Sequence, residues 1–337
     1  MKQSAQRVTW QIQTSPAYDA LCLLNIWTGD SFYTSQHPGV YERWMPRLND
    51  AVRAAYKHLK AIIREQRQGI ISAQLCLMFS AVQPQTLEDL ISAANSPQLV
   101  VDAFLQSPYG DEEEARDFLE LIPDLRIILE FLSDSPFGVE QLADLGHDVQ
   151  QRQSEMLAAL EQYDVVMAVE SQLGRSVSVT NLEVLTLAYT APHGIRIIGW
   201  RFITALNWSP TIVVRTAIHE LMHPPFDHDA PKVRAALSRL QQVAWIQEAF
   251  LNHDPVYGYN SWAGYVEENC VRALDQVIAE SFGIARPADE RWAQEDGGMH
   301  VLAAALTPLL RARKPTNATF QQWFVNTIDQ GIRAINH

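Results

Sequence analysis

The sequence predicts an α+β fold that is predominantly α-helical, with a small β-sheet preceding a helix that carries two histidines. Amphipathic segments at helical spacing dominate residues 15–173, and β-branched and aromatic residues then prevail in 183–206. Helical patterning returns from about residue 232. The chain has 337 residues, 47% of them hydrophobic, which is enough to bury a substantial core. We therefore expect a large helical N-terminal region, residues 1–175, and a second region, residues 176–337, that contains the sheet and the histidine helix.

The N-terminal region consists of amphipathic segments separated by turn-forming stretches. The predicted helical segments lie near residues 48–65, 86–106, 112–132 and 139–173. The acidic run 111–114 begins the third segment, where negative charge is favourable at the N-terminal end of the helix dipole. Gly174 follows the last segment and is typical of a helix C-terminus. The region is therefore predicted to be mostly helical.

The predicted sheet is small. Residues 183–189 and 195–206 are rich in β-branched and aromatic side chains and indicate strands around a turn at 192–194. An extended peptide could pair with an exposed edge of the strand that leads into the histidine helix. Such pairing would favour peptides over small molecules as substrates.

The most informative motif is His-Glu-x-x-His (HExxH), formed by His219, Glu220 and His223. Ser209 and Pro210 supply an N-cap and a first helical residue, and two prolines directly after the motif end the helix. Residues four apart on a helix project from one face, so both imidazoles can bind a single Zn²⁺ with the glutamate beside them. The motif therefore predicts a zinc-dependent hydrolase.

A catalytic zinc ion requires a third protein ligand and one open position. Adjacent carboxylates occur downstream at Glu267 and Glu268. Arg272 and Asp275 follow Glu268 at helical spacing and could orient it, which favours Glu268. Glu267 falls within an apolar arc of the same helix, where a carboxylate needs a partner, and a metal would serve. We expect Glu268 to be the third ligand and keep Glu267 as the alternative.

The order of these features resembles the gluzincin branch of the zinc metallopeptidases (zincins). A sheet, an HExxH helix and a glutamate on a later helix follow one another over roughly residues 180–300, and the run E-x-x-V-R-A that starts at Glu268 looks like the glutamate helix of some gluzincin-like proteins. The resemblance implies that 176–337 is a zincin-like catalytic region. It also implies peptide or protein substrates and Glu220 as general base.

The rival arrangement is that of the metzincins, in which the third ligand follows the motif closely. Asp229 occupies the place of that ligand. Phe226, however, stands where the metzincin motif needs glycine for its turn. This departure disfavours Asp229.

A peptidase also needs a hydrogen-bond donor for the developing oxyanion. Tyr259 and Tyr257 lie in a loop before the glutamate helix, and His300 follows a glycine-containing segment. We take Tyr259 and His300 as candidate catalytic residues and give His193, in the predicted turn, less weight.

The alternative to a peptidase is a zinc-binding but catalytically inactive regulatory or interaction protein, which would not require Glu220. A metal-free helical scaffold is a further possibility.

The composition argues against several classes of protein. A net charge of -13 without a basic stripe argues against nucleic acid or an anionic membrane as partner. The three cysteines, Cys22, Cys76 and Cys270, form no CxxC pair and indicate neither a disulfide framework nor a cysteine zinc site. The first residues lack the apolar stretch of a signal peptide, and no apolar run approaches the length of a membrane span. We therefore expect a cytoplasmic protein.

Overall fold

The computed structural model describes residues 8–177, 179, 181–257, 259–314 and 318–331. Helix accounts for 66% of the structure and strand for 6%, which confirms the predicted, predominantly helical α+β class. None of the described helices combines the length and the hydropathy needed to cross a membrane.

Packing divides the chain into two compact units. The first, called here the sheet unit, contains residues 9–158 and 181–210, and the second, called the helical unit, contains the described residues of 159–180 and 211–337. This division differs from the boundary that we expected at 175/176. The reason is that the strands of 181–205 pack with the N-terminal helices rather than with the HExxH helix.

The sheet unit contains four strands and the helices of the N-terminal region. Its strands are Thr9–Gln13 (β1), Asn181–Leu187 (β2), Ile195–Ile197 (β3) and Arg201–Ala205 (β4). Its helices are Pro16–Ile26 (α1), Ser31–Thr34 (α2), Val40–Trp44 (α3), Asp50–Lys60 (α4), Ile71–Phe79 (α5), Leu87–Asn95 (α6), Pro97–Leu105 (α7), Glu112–Asp134 (α8), Phe137–Leu145 (α9) and most of Val149–Glu161 (α10). The predicted segments 86–106 and 139–173 therefore each contain more than one helix.

The sheet has the order β1-β2-β4-β3. β1 and β4 both run parallel to β2, whereas β3 is antiparallel to β4. The predicted strand 195–206 is interrupted at 198–200, where Gly199 adopts a φ of 88° that disfavours other residues. Because β4 pairs on both sides, the strand leading into the HExxH helix has no free edge, and our expectation of peptide pairing there was wrong.

A buried carboxylate fastens the end of β2 to α1. Asp19 is fully buried, and it accepts hydrogen bonds from the backbone N–H of Tyr189 (3.0 Å) and the side-chain amide of Gln141 (2.7 Å). Burial raises the pKa of Asp19 to about 7, although these hydrogen bonds oppose the rise.

The helical unit is built around one long helix. The helices are Val165–Leu173 (α11), Pro210–Met222 (α12), Pro231–Leu240 (α13), Ala244–Asn252 (α14), Trp262–Ser281 (α15), Ala288–Gln294 (α16), Val301–Ala312 (α17) and Phe320–Gly331 (α18). Gly174 ends α11 in the left-handed conformation, as its sequence position indicated. The side chain of Asn269 on α15 accepts a hydrogen bond from the backbone N–H of Ala303 (3.0 Å), and Tyr265 donates to the carbonyl of Met299 (2.6 Å). These bonds fix α15 against the start of α17.

Candidate metal centre

Helix α12 presents the two motif histidines side by side. Its apolar residues, among them Val214, Ala217 and Ile218, are buried, and the helix ends at Met222, directly before His223. The Nε2 atoms of His219 and His223 lie 3.2 Å apart, and both side chains are mostly shielded from solvent. The local sequence therefore produces the geometry that the i, i+4 spacing predicts.

Glu268 completes a cluster with these histidines. Its Oε1 lies 3.5 Å from Nε2 of His219, and its Oε2 lies 3.6 Å from Nε2 of His223. Glu268 is only 1% exposed, and its Oε2 has no hydrogen-bond partner. The structure thus brings together the three residues that we expected to bind a metal.

The other ring nitrogens are bonded to carboxylates. His219 Nδ1 lies 2.9 Å from Oδ2 of Asp275, and His223 Nδ1 lies 2.7 Å from Oε1 of Glu267. An ionised carboxylate only accepts hydrogen bonds, so each Nδ1 carries the proton and a neutral ring leaves its Nε2 lone pair exposed. Two lone pairs and one carboxylate then converge on a common space, an arrangement that a cation stabilises.

The distances suit a small tetrahedral ion. Zinc binds histidine nitrogen and carboxylate oxygen at about 2.0–2.2 Å, so neighbouring ligand atoms of a tetrahedron lie about 3.3–3.5 Å apart. The two Nε2 atoms are 3.2 Å apart, and Glu268 presents a different oxygen to each of them, Oε1 at 3.5 Å and Oε2 at 3.6 Å. His219, His223 and Glu268 could therefore hold one metal ion.

The electric field of the cluster favours positive charge. Burial lowers the pKa of His219, but the Glu268 carboxylate and the bond to Asp275 raise it to about 10 overall. Burial raises the pKa of Glu268, yet His219 and Arg272 hold it well below its usual range. Glu268 is therefore kept ionised despite its burial.

Glu267 has a different position from its neighbour. It bonds with Nδ1 of His223 and with Nε2 of His228, and these bonds outweigh burial and bring its pKa to about 2. Glu267 therefore holds His223 and His228 instead of joining the cluster. The contact of His228 with Glu267 is one that no motif in the sequence predicts.

Glu220 follows His219 on α12 and is buried. The residue is 5% exposed, and no described residue forms a hydrogen bond or an ion pair with its carboxylate. A buried carboxylate is costly unless something binds it. No described side chain therefore occupies the Glu220 carboxylate.

Tyr259 and His300 are neighbours in the helical unit. Tyr259 adopts a left-handed φ of 60°, and its ring centre is 6.4 Å from that of His300. Burial, together with the charge of Glu268, raises the pKa of Tyr259. His300 is fully buried, and its Nε2 lies 2.7 Å from Oδ2 of Asp296, so that ring nitrogen is already engaged.

The remaining candidates lie elsewhere. The side chain of Asp229 is 96% exposed and its nearest charged partner is Arg234, at 3.7 Å. His193 belongs to the sheet unit, where its Nε2 lies 3.3 Å from the hydroxyl of Tyr33. Neither belongs to the cluster.

Comparison of this chain with models of protein families, with curated proteins and with solved structures found no match.

Proposed function

We propose that the protein is a zinc-dependent peptidase, with His219, His223 and Glu268 as metal ligands in a zincin-like core. The observation that carries the proposal is the convergence of two imidazole nitrogens and the Glu268 carboxylate, with 3.2–3.6 Å between neighbouring groups and each Nδ1 already bonded to a carboxylate. Metal-binding histidines in proteins are usually held by such carboxylate partners, which set the tautomer and the ring orientation.

The donor types and Glu220 together favour zinc. Two imidazoles and one carboxylate also suit iron(II) in oxygenases, so the ligand set alone does not choose between the metals. A buried carboxylate without a partner, next to a ligand in the sequence, is what hydrolysis requires, because the attacking water must lose a proton. Oxygen chemistry at iron does not depend on such a base.

The chain's own residues supply the proton transfers. A zinc ion held by the three ligands would contribute Lewis acidity and the activation of water. Glu220 accepts the proton from the attacking water and returns it to the departing amine. Asp275 and Glu267 orient the two histidine rings through their Nδ1 atoms.

The proposed substrate is a peptide or protein. Support for this comes from the resemblance of the HExxH motif and the later glutamate helix to gluzincins. A library of unbiased peptides incubated with the zinc-loaded protein tests this part of the proposal by detection of new termini. Cleavage that a chelator abolishes and added zinc restores would support it.

Elemental analysis of the purified protein tests the metal. We expect about one zinc per chain and no stoichiometric iron. His219→Ala should lose the zinc, whereas His58→Ala, which removes an exposed histidine of the sheet unit, should retain it. Stoichiometric iron, or zinc undiminished in His219→Ala, would overturn the proposal.

A further inference from the structure

Two of the proposed ligands are joined through side chains that do not touch the metal position. Starting from His219, Nδ1 bonds with Oδ2 of Asp275 at 2.9 Å. Asp275 in turn accepts two hydrogen bonds from Arg291, one of them 3.1 Å long. The guanidinium binds the carboxylate through two donors, which fixes the orientation of both groups.

The path continues from Arg291 to the third ligand. Glu295 accepts from Nε of Arg291 through Oε2 and from Arg272 through Oε1. Arg272 then donates from Nε to Oε1 of Glu268 at 2.5 Å. A continuous series of ion pairs therefore runs from one ligand to the other, and Glu295 is the link between its two arginines.

These charges lie in an interior where unpaired charge is costly. Arg291 is only 2% exposed, and Asp275 is buried as well. Removing one member of a buried ion-pair network leaves its partners without compensation, which typically costs several kcal/mol. Each arginine in the series depends on Glu295 as one of its acceptors, so both would have to rearrange without it.

The backbone after α16 is shaped to place these carboxylates. Asp296 and Gly297 both have positive φ values, 48° and 68°, and such a conformation is strained for an aspartate. The bend allows Asp296 to approach Arg272, with 3.4 Å between Oδ2 and the guanidinium, while Glu295 holds the same group. Two acidic residues in succession therefore hold Arg272 in contact with Glu268.

We infer that Glu295 is a positioning residue that couples Glu268 and His219, so that both ligands adopt their metal-binding orientation together. This inference rests on the proposed metal site. It attributes part of the metal affinity to Glu295, which is neither part of the HExxH motif nor a proposed ligand. Its loss leaves Asp296 as the other acidic partner that holds Arg272, so the guanidinium fixes Oε1 of Glu268 less firmly. At the same time Arg291 loses a partner and holds Asp275, and with it His219, less firmly.

Competition with a chromophoric chelator measures the effect on zinc affinity. We expect Glu295→Gln to bind zinc about 10- to 100-fold more weakly, the range typical of residues that support metal ligands. Glu290→Gln is the matched control, because Glu290 lies on α16 but is exposed and forms no ion pair among the described residues. Its zinc affinity should equal that of the wild type.

A second readout separates positioning from general stability. Cobalt(II) replaces zinc in such sites, and its visible absorption reports ligand geometry, so the bands of Glu295→Gln should be shifted or weakened relative to those of Glu290→Gln. In an Arg272→Gln background, Glu295→Gln should cost less affinity than it does alone, because part of its action passes through Arg272. If Glu295→Gln does not fold, Glu295→Asp, which retracts the charge by one methylene, gives the same comparison.

The outcomes are distinguishable. A wild type that takes up neither zinc nor cobalt overturns the proposed function, and this inference with it. A wild type that binds metal, together with a folded Glu295 variant of unchanged affinity and spectrum, overturns this inference alone.

Discussion

Glu268 in the helical unit and Asp19 in the sheet unit are both buried carboxylates, but they have opposite pKa shifts. Burial raises the pKa of Asp19 to about 7, and the amide and backbone N–H groups that bond to it oppose the rise only in part. Burial also acts on Glu268, but His219 and Arg272 hold its pKa well below the usual range. The difference is that only Glu268 is surrounded by groups that carry, or can carry, positive charge.

This comparison shows what each carboxylate is suited to do. A buried group that remains ionised and leaves one oxygen without a hydrogen bond is suited to bind a cation. A buried group that is half protonated near neutral pH is suited to hold backbone groups together, as Asp19 does at the end of β2. Burial alone therefore does not identify a functional carboxylate, and the charges around it must be known.

The largest effect is expected from removing Glu268. Glu268→Ala eliminates one of three proposed ligands, so the purified variant should contain no zinc or lose it to a mild chelator. Glu267→Ala is the matched control, because Glu267 contacts His223 through Nδ1 and should keep stoichiometric zinc with weaker affinity. Metal analysis after dialysis against the chelator gives the answer, and the reverse result would transfer the ligand role to Glu267.

Glu220 is a third buried carboxylate and differs from both others in having no partner among the described residues. Glu220→Gln keeps the size of the side chain but removes its basicity, so turnover of a cleavable peptide should fall by about 10²–10⁴. Zinc content should stay unchanged. Glu248→Gln, an exposed substitution on α14, should leave turnover unaffected. Equal turnover in Glu220→Gln would show that Glu220 is not the general base.

The pKa of Asp19 predicts a pH dependence of stability. Because the pKa is raised in the folded protein, the stability that Asp19 contributes is fully present below its unfolded pKa of about 4 and is lost as the pH rises toward about 7. The wild type should therefore lose up to about 4 kcal/mol relative to Asp19→Asn between pH 4 and 8. Urea unfolding at several pH values measures this, with Asp102→Asn, an exposed aspartate, as control. A difference that is independent of pH would contradict the assignment.

The smallest effect concerns the amide that faces Asp19. Gln141 donates to Oδ2 of Asp19, and this bond opposes the rise in pKa. Gln141→Leu should raise the pKa further and destabilise the protein by about 1–3 kcal/mol, more at pH 8 than at pH 5, because the ionised carboxylate loses its donor. In an Asp19→Asn background the additional loss at pH 8 should disappear. Its persistence would show that Gln141 acts on stability by another route.

Much of the fold followed from local patterns. The periodicity of 112–132 predicted α8, and Pro210 with the prolines after His223 set the limits of α12. β1 was not predicted, because a strand of five residues carries little signal and its partner, β2, lies far along the chain. The sequence also did not show that the sheet belongs with the N-terminal helices, because these parts of the chain lie far apart in sequence.

The sequence by itself determined that His219 and His223 share one face, because the geometry of an α-helix places residues four apart together. Only the tertiary structure decided which glutamate joins them. Adjacent helix residues point about 100° apart, so the packing of α15 beside α12 selects Glu268 for the Nε2 atoms and Glu267 for Nδ1 of His223. The link through Glu295 has the same origin, because side chains distant in sequence meet only after the helices have packed.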